Sequence, residues 1–280
     1  MPGLGDELII TAAITGSRVT RQATPHIPIS PEEIVQSAVE SWNAGASVVH
    51  IHVRDPKTGL GTQDIEIFRQ VVEPLREKTD LILCLTTSGI PGKNLPTTER
   101  LAPLTLRPEL ASFDAGSINL GGSVFINSPE FLEEAAFNTR EHGVKPELEI
   151  FDLGMMVTCL RMRDEGKLLE PLYFQFVLGT PWGAPATPKA LLHLHDHLPV
   201  NAVWSAIGIG KGHLPVALMA MAMGGHIRVG MEDNLYYSKG VLATSNAQFV
   251  ERIVRIAEAY GRPVAGPTAA RRILGVKAKG

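Results

Sequence analysis

Eight short apolar segments, rich in β-branched residues, recur along the 280-residue chain at fairly even intervals. They alternate with stretches of helical periodicity that begin at capping residues and end at glycine. This alternation predicts a parallel sheet covered by helices, because parallel strands buried on both faces form continuous apolar runs. The predicted strands span residues 8–14, 47–53, 81–86, 110–115, 148–151, 173–178, 202–207 and 227–231.

Eight strand–helix units in a chain of this length match the count and size of a (β/α)8 barrel, and an open doubly wound sheet is the alternative. No linker, low-complexity segment or further repeat divides the sequence. We therefore predict a single (β/α)8 barrel domain over residues 1–280, with a frayed tail at about 275–280. The sharpest helix signal is the capping box of Ser30 and Glu33, with Pro31 at the first helical position.

The formal net charge is −3 and no basic run is present, so no affinity for nucleic acid is predicted. The longest apolar stretches are shorter than a membrane span. No basic region with an apolar signal core follows Met1, so a cytoplasmic protein is expected. Cys84 and Cys159 stand singly among apolar residues, as reduced core thiols do.

His50 and His52 lie two residues apart in a predicted strand, so their side chains point to the same face. Paired neutral imidazoles bind divalent metals, and they suit zinc, iron, copper or nickel better than magnesium or calcium. Such a pair also occurs at polar strand ends that bind nothing. Arg54, Asp55 and Pro56 follow at once, and strand ends of this kind carry the sites of parallel α/β proteins. We therefore predict a metalloenzyme.

A catalytic zinc keeps three protein ligands and one open position, so one further donor is needed. The candidates at the same barrel mouth are Glu232, Asp233, Asp114 and Glu149. The adjacent Glu232 and Asp233 are expected to face different ways, which would let one ligate while its neighbour transfers a proton. The alternative is a solvated turn. Arg228 near Asp233 is predicted either to form a plain salt bridge or to orient a base.

A glycine-rich turn follows the seventh predicted strand and includes Gly208, Gly210 and Lys211. Backbone amides, a helix N-terminus and a lysine favour an anion there, and barrels often bind phosphate near strands seven and eight. The sequence has neither a dinucleotide fingerprint nor a Walker loop. The predicted ligand is the phosphate of a carried group such as coenzyme A, and a simple tight turn is the alternative.

Five longer motifs run from one end of the chain to the other: TAAITGSRVTR, HIHVRDP, PELEIFDLGM, QFVLGTPWG and HIRVGMEDN. With them the sequence resembles the β-keto acid cleavage enzymes over about residues 8–273. The resemblance implies a (β/α)8 barrel, a zinc ion, and a reaction in which a β-keto acid and acetyl-CoA give acetoacetate and a new acyl-CoA. It also implies a homotetramer.

By these motifs the resemblance implies His50, His52 and Glu232 as zinc ligands, and Arg228 with Asp233 as the catalytic dyad. Glu149 corresponds to a further acidic residue of the active centre. Three positions that contact substrate differ in residue type, because Thr86, Ser112 and Asp114 stand where the family has serine, threonine and asparagine. All three keep hydrogen-bonding capacity, but Asp114 can add a charge.

Arg18 differs most, because the resemblance implies an acidic residue at this position in the amino-keto acid enzyme, where it receives the substrate's ammonium group. Arginine repels an amine and binds a carboxylate. We therefore predict a substrate whose distal end is anionic or at least not cationic, as in β-ketoglutarate or β-ketoadipate. The alternative is a solvated loop residue.

Two other functions fit the same residues. One is a zinc-dependent aldolase or hydrolase that does not use acetyl-CoA. The other is a barrel that binds a metal or a keto acid without catalysis. Structural zinc sites are closed by four protein ligands, whereas three obvious donors are present here, so the catalytic interpretation is favoured.

Overall fold

The computed structural model describes residues 7–90 and 92–277. Within these residues eight parallel strands close into a barrel, in which the first strand pairs with both the second and the eighth. The predicted (β/α)8 barrel is therefore confirmed, and the open sheet is excluded. The strands are β1 Ile10–Ala13, β2 Val48–Ile51, β3 Ile82–Leu85, β4 Leu110–Asp114, β5 Lys145–Ile150, β6 Tyr173–Leu178, β7 Val203–Gly208 and β8 His226–Val229.

Helices follow the strands and cover the outside of the barrel. The predicted capping box is present, because the Glu33 amide donates to Oγ of Ser30 at 3.2 Å and the Ser30 amide donates to Oε2 of Glu33 at 2.9 Å. Such a cap supplies about 1 kcal/mol to the helix. The helices are α1 Pro31–Asn43, α2 Ile65–Lys78, α3 Thr97–Leu101, α4 Pro129–Glu141, α5 Leu153–Asp164, α6 Pro188–His195, α7 His213–Ala222, α8 Asn246–Tyr260 and α9 Pro267–Leu274.

Three antiparallel hairpins within the described chain were not predicted. They join Val53–Arg54 to Gly61–Thr62, Ile118–Leu120 to Ser123–Phe125, and Tyr236–Ser238 to Val241–Leu242. All three follow the carboxyl ends of barrel strands. They add walls around one end of the barrel, where the predicted site residues lie.

The other end of the barrel is apolar and closed. Buried side chains point inward from the first inward position of several strands, and α9 packs across them. We call this set the barrel base; it comprises Ile9, Val48, Ile82, Leu110 and Tyr173, together with Ala270 and Leu274 of α9. A second and larger core lies between the outer faces of the strands and the helices.

Cys84 and Cys159 are buried and unpaired, as predicted. No helix in the described ranges is long and apolar enough to cross a membrane. Fraying is predicted for the tail at about 275–280. Helix Pro267–Leu274 ends just before this tail, and Gly275 forms its left-handed cap. Residues 278–280 of the tail lie outside the described residues. The organisation of residues 1–280 as one domain stays a prediction.

Candidate active site at the barrel mouth

Two histidines and a glutamate meet at the open end of the barrel. His50 lies on β2, His52 follows its last residue, and Glu232 lies in the turn after β8. Nε2 of His50 is 3.6 Å and Nε2 of His52 is 3.5 Å from Oε1 of Glu232. Ligand atoms of all three residues lie within 4.8 Å of one another, a spacing suited to one metal ion.

Local backbone geometry makes room for Glu232. Gly16 has a φ of +58°, and a Cβ there would lie 2.7 Å from Cγ of Glu232. Gly230 has a φ of +147°, and a Cβ there would collide with the backbone of Ala13 on the neighbouring strand. Both positions therefore require glycine. The buried Oε2 of Glu232 has no partner in the described chain, so the donor set fits a divalent cation.

Arg228 on β8 organises the carboxylates around this cluster. Its Nε and Nη2 donate to the two carboxylate oxygens of Asp233 at 3.0 and 3.1 Å, and Nη2 also donates to Glu232 at 2.6 Å. On the other side Nη1 donates to Glu149 at 3.3 Å and to the side-chain oxygen of Gln175 at 3.1 Å. We call His50, His52, Glu149, Arg228, Glu232 and Asp233 the mouth cluster.

This arrangement corrects one expectation from the sequence. Glu232 and Asp233 do not face different ways, since both carboxylates converge on Arg228. The alternation of a strand does not apply to them, because residues 231–233 form a turn that begins after β8 has ended. A metal donor and a candidate base therefore share one guanidinium.

Burial and charge shift the pKa values of these groups in opposite directions. Burial alone would raise the pKa of Glu232, but Arg228 and the two imidazoles hold it well below its usual range. Burial raises the pKa of Asp233 to about 6 despite the contact with Arg228. Burial, with Asp114 nearby, raises the pKa of Glu149 well above its usual range. Divergent pKa values among neighbouring acids are typical of active sites.

A cavity of about 320 Å³ opens above the mouth cluster. Seven of the predicted site residues line it: Arg18, His52, Asp114, Glu149, Arg228, Glu232 and Asp233. Its apolar wall is formed by Phe151, Val177, Ile207 and Ile209. A largely apolar cavity with a few converging polar groups is the usual form of a small-molecule site. Six predicted residues lie outside its wall: His50, Thr86, Ser112, Gly208, Gly210 and Lys211.

Thr86 and Ser112 act on the backbone of the loop after β3. Oγ1 of Thr86 accepts from the Ser88 amide at 3.1 Å, and Oγ of Ser112 accepts from the Thr87 amide at 3.0 Å. Ser88 itself reaches the cavity, and its hydroxyl donates to Oδ2 of Asp114 at 3.0 Å. Burial raises the pKa of Asp114. Of Thr86, Ser112 and Asp114, Asp114 alone lines the cavity.

Arg18 lies at the cavity rim. Its side chain is exposed, and Nη2 donates to the carbonyl of Leu120 in the 118–125 hairpin at 3.2 Å. Gly121 next to that carbonyl has a φ of +66°, and a Cβ there would lie 2.6 Å from Nη1 of Arg18. A glycine thus leaves space for the guanidinium at the cavity entrance.

In the glycine-rich turn Ile209 lines the cavity, whereas Gly208, Gly210 and Lys211 lie outside its wall. A Cβ on Gly208 would collide with the backbone of Gly212, so this glycine allows close packing of the turn. Gly210 has a φ of +56° and open space around its Cβ position. Lys211 is exposed, and just beyond it Nη1 of Arg252 lies 3.5 Å from Nε2 of His213. The turn therefore carries one exposed lysine, and Arg252 of α8 lies against His213, the first residue of α7.

Arg100 lines the cavity and was not predicted as a site residue. It is buried, stacks on Phe131 at 3.6 Å from the ring centroid, and donates to the carbonyls of Thr87 and Ile126 and to Asn127. It joins the loop after β3 to the 118–125 hairpin. Arg100 lies on a five-residue helix that the strand–helix pattern does not mark, so the sequence offers no signal for it.

The chain has relatives among known proteins. A sequence model described as beta-keto acid cleavage enzyme matches residues 7–276. The 3-keto-5-aminohexanoate cleavage enzyme of Fusobacterium nucleatum is 42% identical over 274 residues, which cover 97% of this chain and 99% of that protein.

Two further relatives are named as acetyl-CoA transferases. The 3-dehydrocarnitine:acetyl-CoA trimethylamine transferase of Rhizobium meliloti is 37% identical over 96% of both chains. The 3-oxoadipate:acetyl-CoA acetyltransferase of Cupriavidus necator is 36% identical over 96% of this chain and 94% of that protein. Among solved structures, apo ObcA has a TM-score of 0.78 at 20% identity, covering 90% of this chain and 66% of that one. This last similarity shows the barrel fold.

Proposed function

We propose that this chain, which belongs to the beta-keto acid cleavage enzyme family, is a zinc-dependent acyltransferase that exchanges acyl groups between a β-keto acid and acetyl-CoA. The products are acetoacetate and a new acyl-CoA. The observation that supports this most is a buried arginine that binds three carboxylates beside two imidazoles under one cavity. Relatives named as acetyl-CoA transferases support the co-substrate.

His50, His52 and Glu232 are the residues that would hold the zinc ion. Two imidazoles and one carboxylate with an open vertex form the ligand set of catalytic rather than structural zinc. When bound, the ion supplies Lewis acidity at the keto oxygen of the substrate. Metal analysis of the purified protein tests this assignment, and we expect about one zinc per chain in the wild type and much less in His52→Ala.

Asp233 is the proposed base. It removes the C2 proton of the β-keto acid, while two hydrogen bonds from Arg228 fix the orientation of its carboxylate. Glu149 binds the far side of Arg228 and keeps the guanidinium in place. Asp114 and Ser88 contact the substrate at the cavity wall, and Thr86 and Ser112 shape the loop that carries Ser88.

The proposed exchange forms one carbon–carbon bond and breaks another, and it breaks one thioester and forms another. The C2 carbanion attacks the acetyl carbonyl, a carbon–carbon bond forms, and the CoA thiolate leaves. The thiolate then attacks C3 of the original keto acid, the C2–C3 bond breaks, and the acetoacetate carbanion takes back the proton from Asp233. No oxidant or reductant is needed, and the proton returns to the carbon from which it came.

An isotope experiment tests the reaction against the aldolase and hydrolase alternatives. With acetyl-CoA labelled with ¹³C in both acetyl carbons, we expect the label at C3 and C4 of acetoacetate and none in the new thioester. Without acetyl-CoA we expect no loss of keto acid beyond the spontaneous decarboxylation seen in an enzyme-free control. Consumption of keto acid in its absence would identify a lyase or hydrolase and reject the acyl transfer.

Arg18 supports a substrate with an anionic distal end, because its guanidinium lies at the rim of the cavity and Lys93 lines the same cavity. Carboxylates bind arginine bidentately, whereas an ammonium group is repelled. The relative named for 3-oxoadipate acts on a dicarboxylate of this kind, and the relative named for 3-keto-5-aminohexanoate does not. Comparing turnover of 3-oxoadipate with that of the amino acid tests the choice, and preference for the amine would reject it.

Gly208, Gly210 and Lys211 are proposed to contact the nucleotide phosphates of acetyl-CoA from the flank of the mouth. The exposed Lys211 and the nearby Arg252 support this. For Lys211→Ala we expect KM for acetyl-CoA to rise about fivefold and KM for acetyl-pantetheine, which lacks those phosphates, to stay unchanged. Lys78→Ala at the opposite end of the barrel is the control. Equal effects on both thioesters would reject the phosphate contact.

The homotetramer stays a prediction. Size-exclusion chromatography with light scattering tests it directly, and a monomeric or dimeric mass would reject it.

A further inference from the structure

Glu147 is a buried acid that no step of the proposed reaction uses. It lies on β5 two residues before Glu149, so both side chains point into the barrel. In register it pairs with Ser112 of β4 and Tyr173 of β6. Its side chain is fully buried. A buried acid lowers the stability of a fold unless its oxygens are hydrogen-bonded, so each oxygen of Glu147 needs a partner.

Several buried polar atoms have no hydrogen-bond partner in the described part of the chain, and two of them matter here. They are Oε1 of Glu147 and Nδ1 of His50. The other oxygen of Glu147 accepts from Sγ of Cys84 at 3.5 Å. Candidate ligand atoms of His50, Cys84 and Glu147 all lie within 4.8 Å of one another. His50 and Glu147 thus bring ligand atoms within 4.8 Å of each other, and in the described part of the chain each also has one buried polar atom without a partner.

The chemistry of a metal-binding histidine explains this pairing. Nε2 of His50 faces Glu232 at the mouth, so it is the nitrogen placed to ligate. An imidazole that ligates through Nε2 carries its one remaining proton on Nδ1. That N–H is buried with the ring, away from bulk solvent, so an acceptor inside the barrel must take its hydrogen bond directly or through an ordered water.

We infer that Glu147 is a positioning residue for His50: its carboxylate accepts the hydrogen bond of Nδ1–H and thereby fixes the tautomer and the ring orientation that ligation requires. The inference rests on the proposed metal site. A small rotation of the imidazole or one bridging water closes the separation. Metal-binding histidines commonly donate their second N–H to a carboxylate, and loss of that partner costs about 10–100-fold in metal affinity.

Three variants test this without any substrate. Glu147→Met removes the acceptor at similar volume, Glu147→Gln keeps an acceptor oxygen, and Cys84→Ala removes the neighbouring thiol alone. Zinc affinity is measured by competition with a chromophoric chelator, and the ligand field by the visible spectrum of the Co²⁺-loaded protein. We expect about 10–100-fold weaker zinc binding and an altered Co²⁺ spectrum for Glu147→Met. Glu147→Gln and Cys84→Ala should stay within about threefold of the wild type.

Zinc binding by folded Glu147→Met at wild-type strength, with an unchanged Co²⁺ spectrum, would overturn the inference. If Glu147→Met does not fold, the long-range ¹H–¹⁵N spectrum of the zinc-loaded wild type is used instead. The inference requires a proton on Nδ1 of His50, so a ring without that proton would overturn the inference. The metal measurements use no keto acid or thioester. A failed acyl-transfer assay would therefore reject the proposed reaction and leave this inference standing. Unchanged zinc affinity in Glu147→Met would reject this inference and leave the proposed reaction standing.

Discussion

The barrel base and the mouth cluster are built on the same strands, yet their side chains differ in kind. Going up β2, Val48 of the base is followed by His50 and then His52, and going up β4, Leu110 of the base is followed by Ser112 and Asp114. Each step of two residues moves one layer toward the mouth. One strand therefore supplies stability at its start and reactive groups at its end.

Removing the proposed general base, Asp233, from the mouth cluster should abolish the chemistry and leave the barrel base intact. For Asp233→Asn we expect kcat to fall by about 10²–10⁴-fold, since an amide accepts no proton. The protein should still fold but melt at a lower temperature, because the amide oxygen can accept one hydrogen bond from Arg228 while the second acceptor and the negative charge are lost. Asp80→Asn, exposed near the other end of the barrel, is the control. Retention of more than a tenth of kcat would show that Asp233 is not the base.

The reverse test removes bulk from the barrel base. Leu110 is fully buried, so Leu110→Ala should lower the free energy of unfolding by about 2–5 kcal/mol. The folded enzyme should keep its KM, because the mouth cluster lies one to two layers further up the barrel. Leu169→Ala, whose side chain is 65% exposed, should change stability by less than about 0.5 kcal/mol. Denaturant titration measures both. If Leu110→Ala unfolds with the same free energy as the wild type, the barrel base contributes little to the stability of the fold.

His226 is a buried histidine that contacts the backbone of Ile9 in the barrel base, and it makes the stability of the fold depend on pH. Nδ1 of His226 accepts from the Ile9 amide, and burial lowers the pKa of His226 from 6.5 to about 3. Below pH 6.5 the unfolded chain binds a proton that the folded chain does not. The free energy of unfolding therefore falls as pH drops, by about 1.4 kcal/mol per pH unit.

His226→Asn keeps an acceptor near Nδ1 and does not titrate. Urea titrations at pH 7 and pH 5 should show a smaller loss of stability in this variant than in the wild type, by about 2 kcal/mol. Exposed His26→Asn should keep the wild-type dependence. Identical pH dependence for His226→Asn and the wild type would contradict the buried neutral state.

The smallest expected effect is at the rim of the mouth. For Arg18→Gln we expect KM for a dicarboxylic β-keto acid to rise about fivefold and KM for an uncharged one to stay unchanged, since exposed ion pairs contribute little. Steady-state kinetics with both substrates measure this. Equal changes for the two would remove Arg18 from substrate recognition and limit selection to the deeper residues.

Much of the fold could be predicted because each barrel strand is buried on both faces and so leaves an unbroken apolar run. Residues 173–178 show this best, since the predicted and observed strand coincide. The three hairpins and α9 left no such trace. Hairpin strands such as Ser123–Phe125 are short and largely exposed, and helix Pro267–Leu274 has no strand before it to complete a repeating unit.

The site was harder to predict because sequence spacing gives the face of a residue but not its height in the barrel. Glu147 and Glu149 share a face, yet only Glu149 reaches Arg228, and the register against Ser112 and Tyr173 decides which layer each occupies. That register is set when the barrel closes. The convergence of Glu232 and Asp233 on one guanidinium depends in the same way on a turn whose geometry no periodicity encodes.

The contact between Arg18 and the Leu120 carbonyl joins two loops that are 102 positions apart in the chain. Laboratory evolution that randomises position 18 alone would therefore vary one of the two contacting loops and leave the other unchanged. A chimera whose crossover falls between the two loops would combine an arginine with a foreign hairpin. We expect libraries that inherit both segments from one parent to yield altered selectivity more often than libraries that separate them.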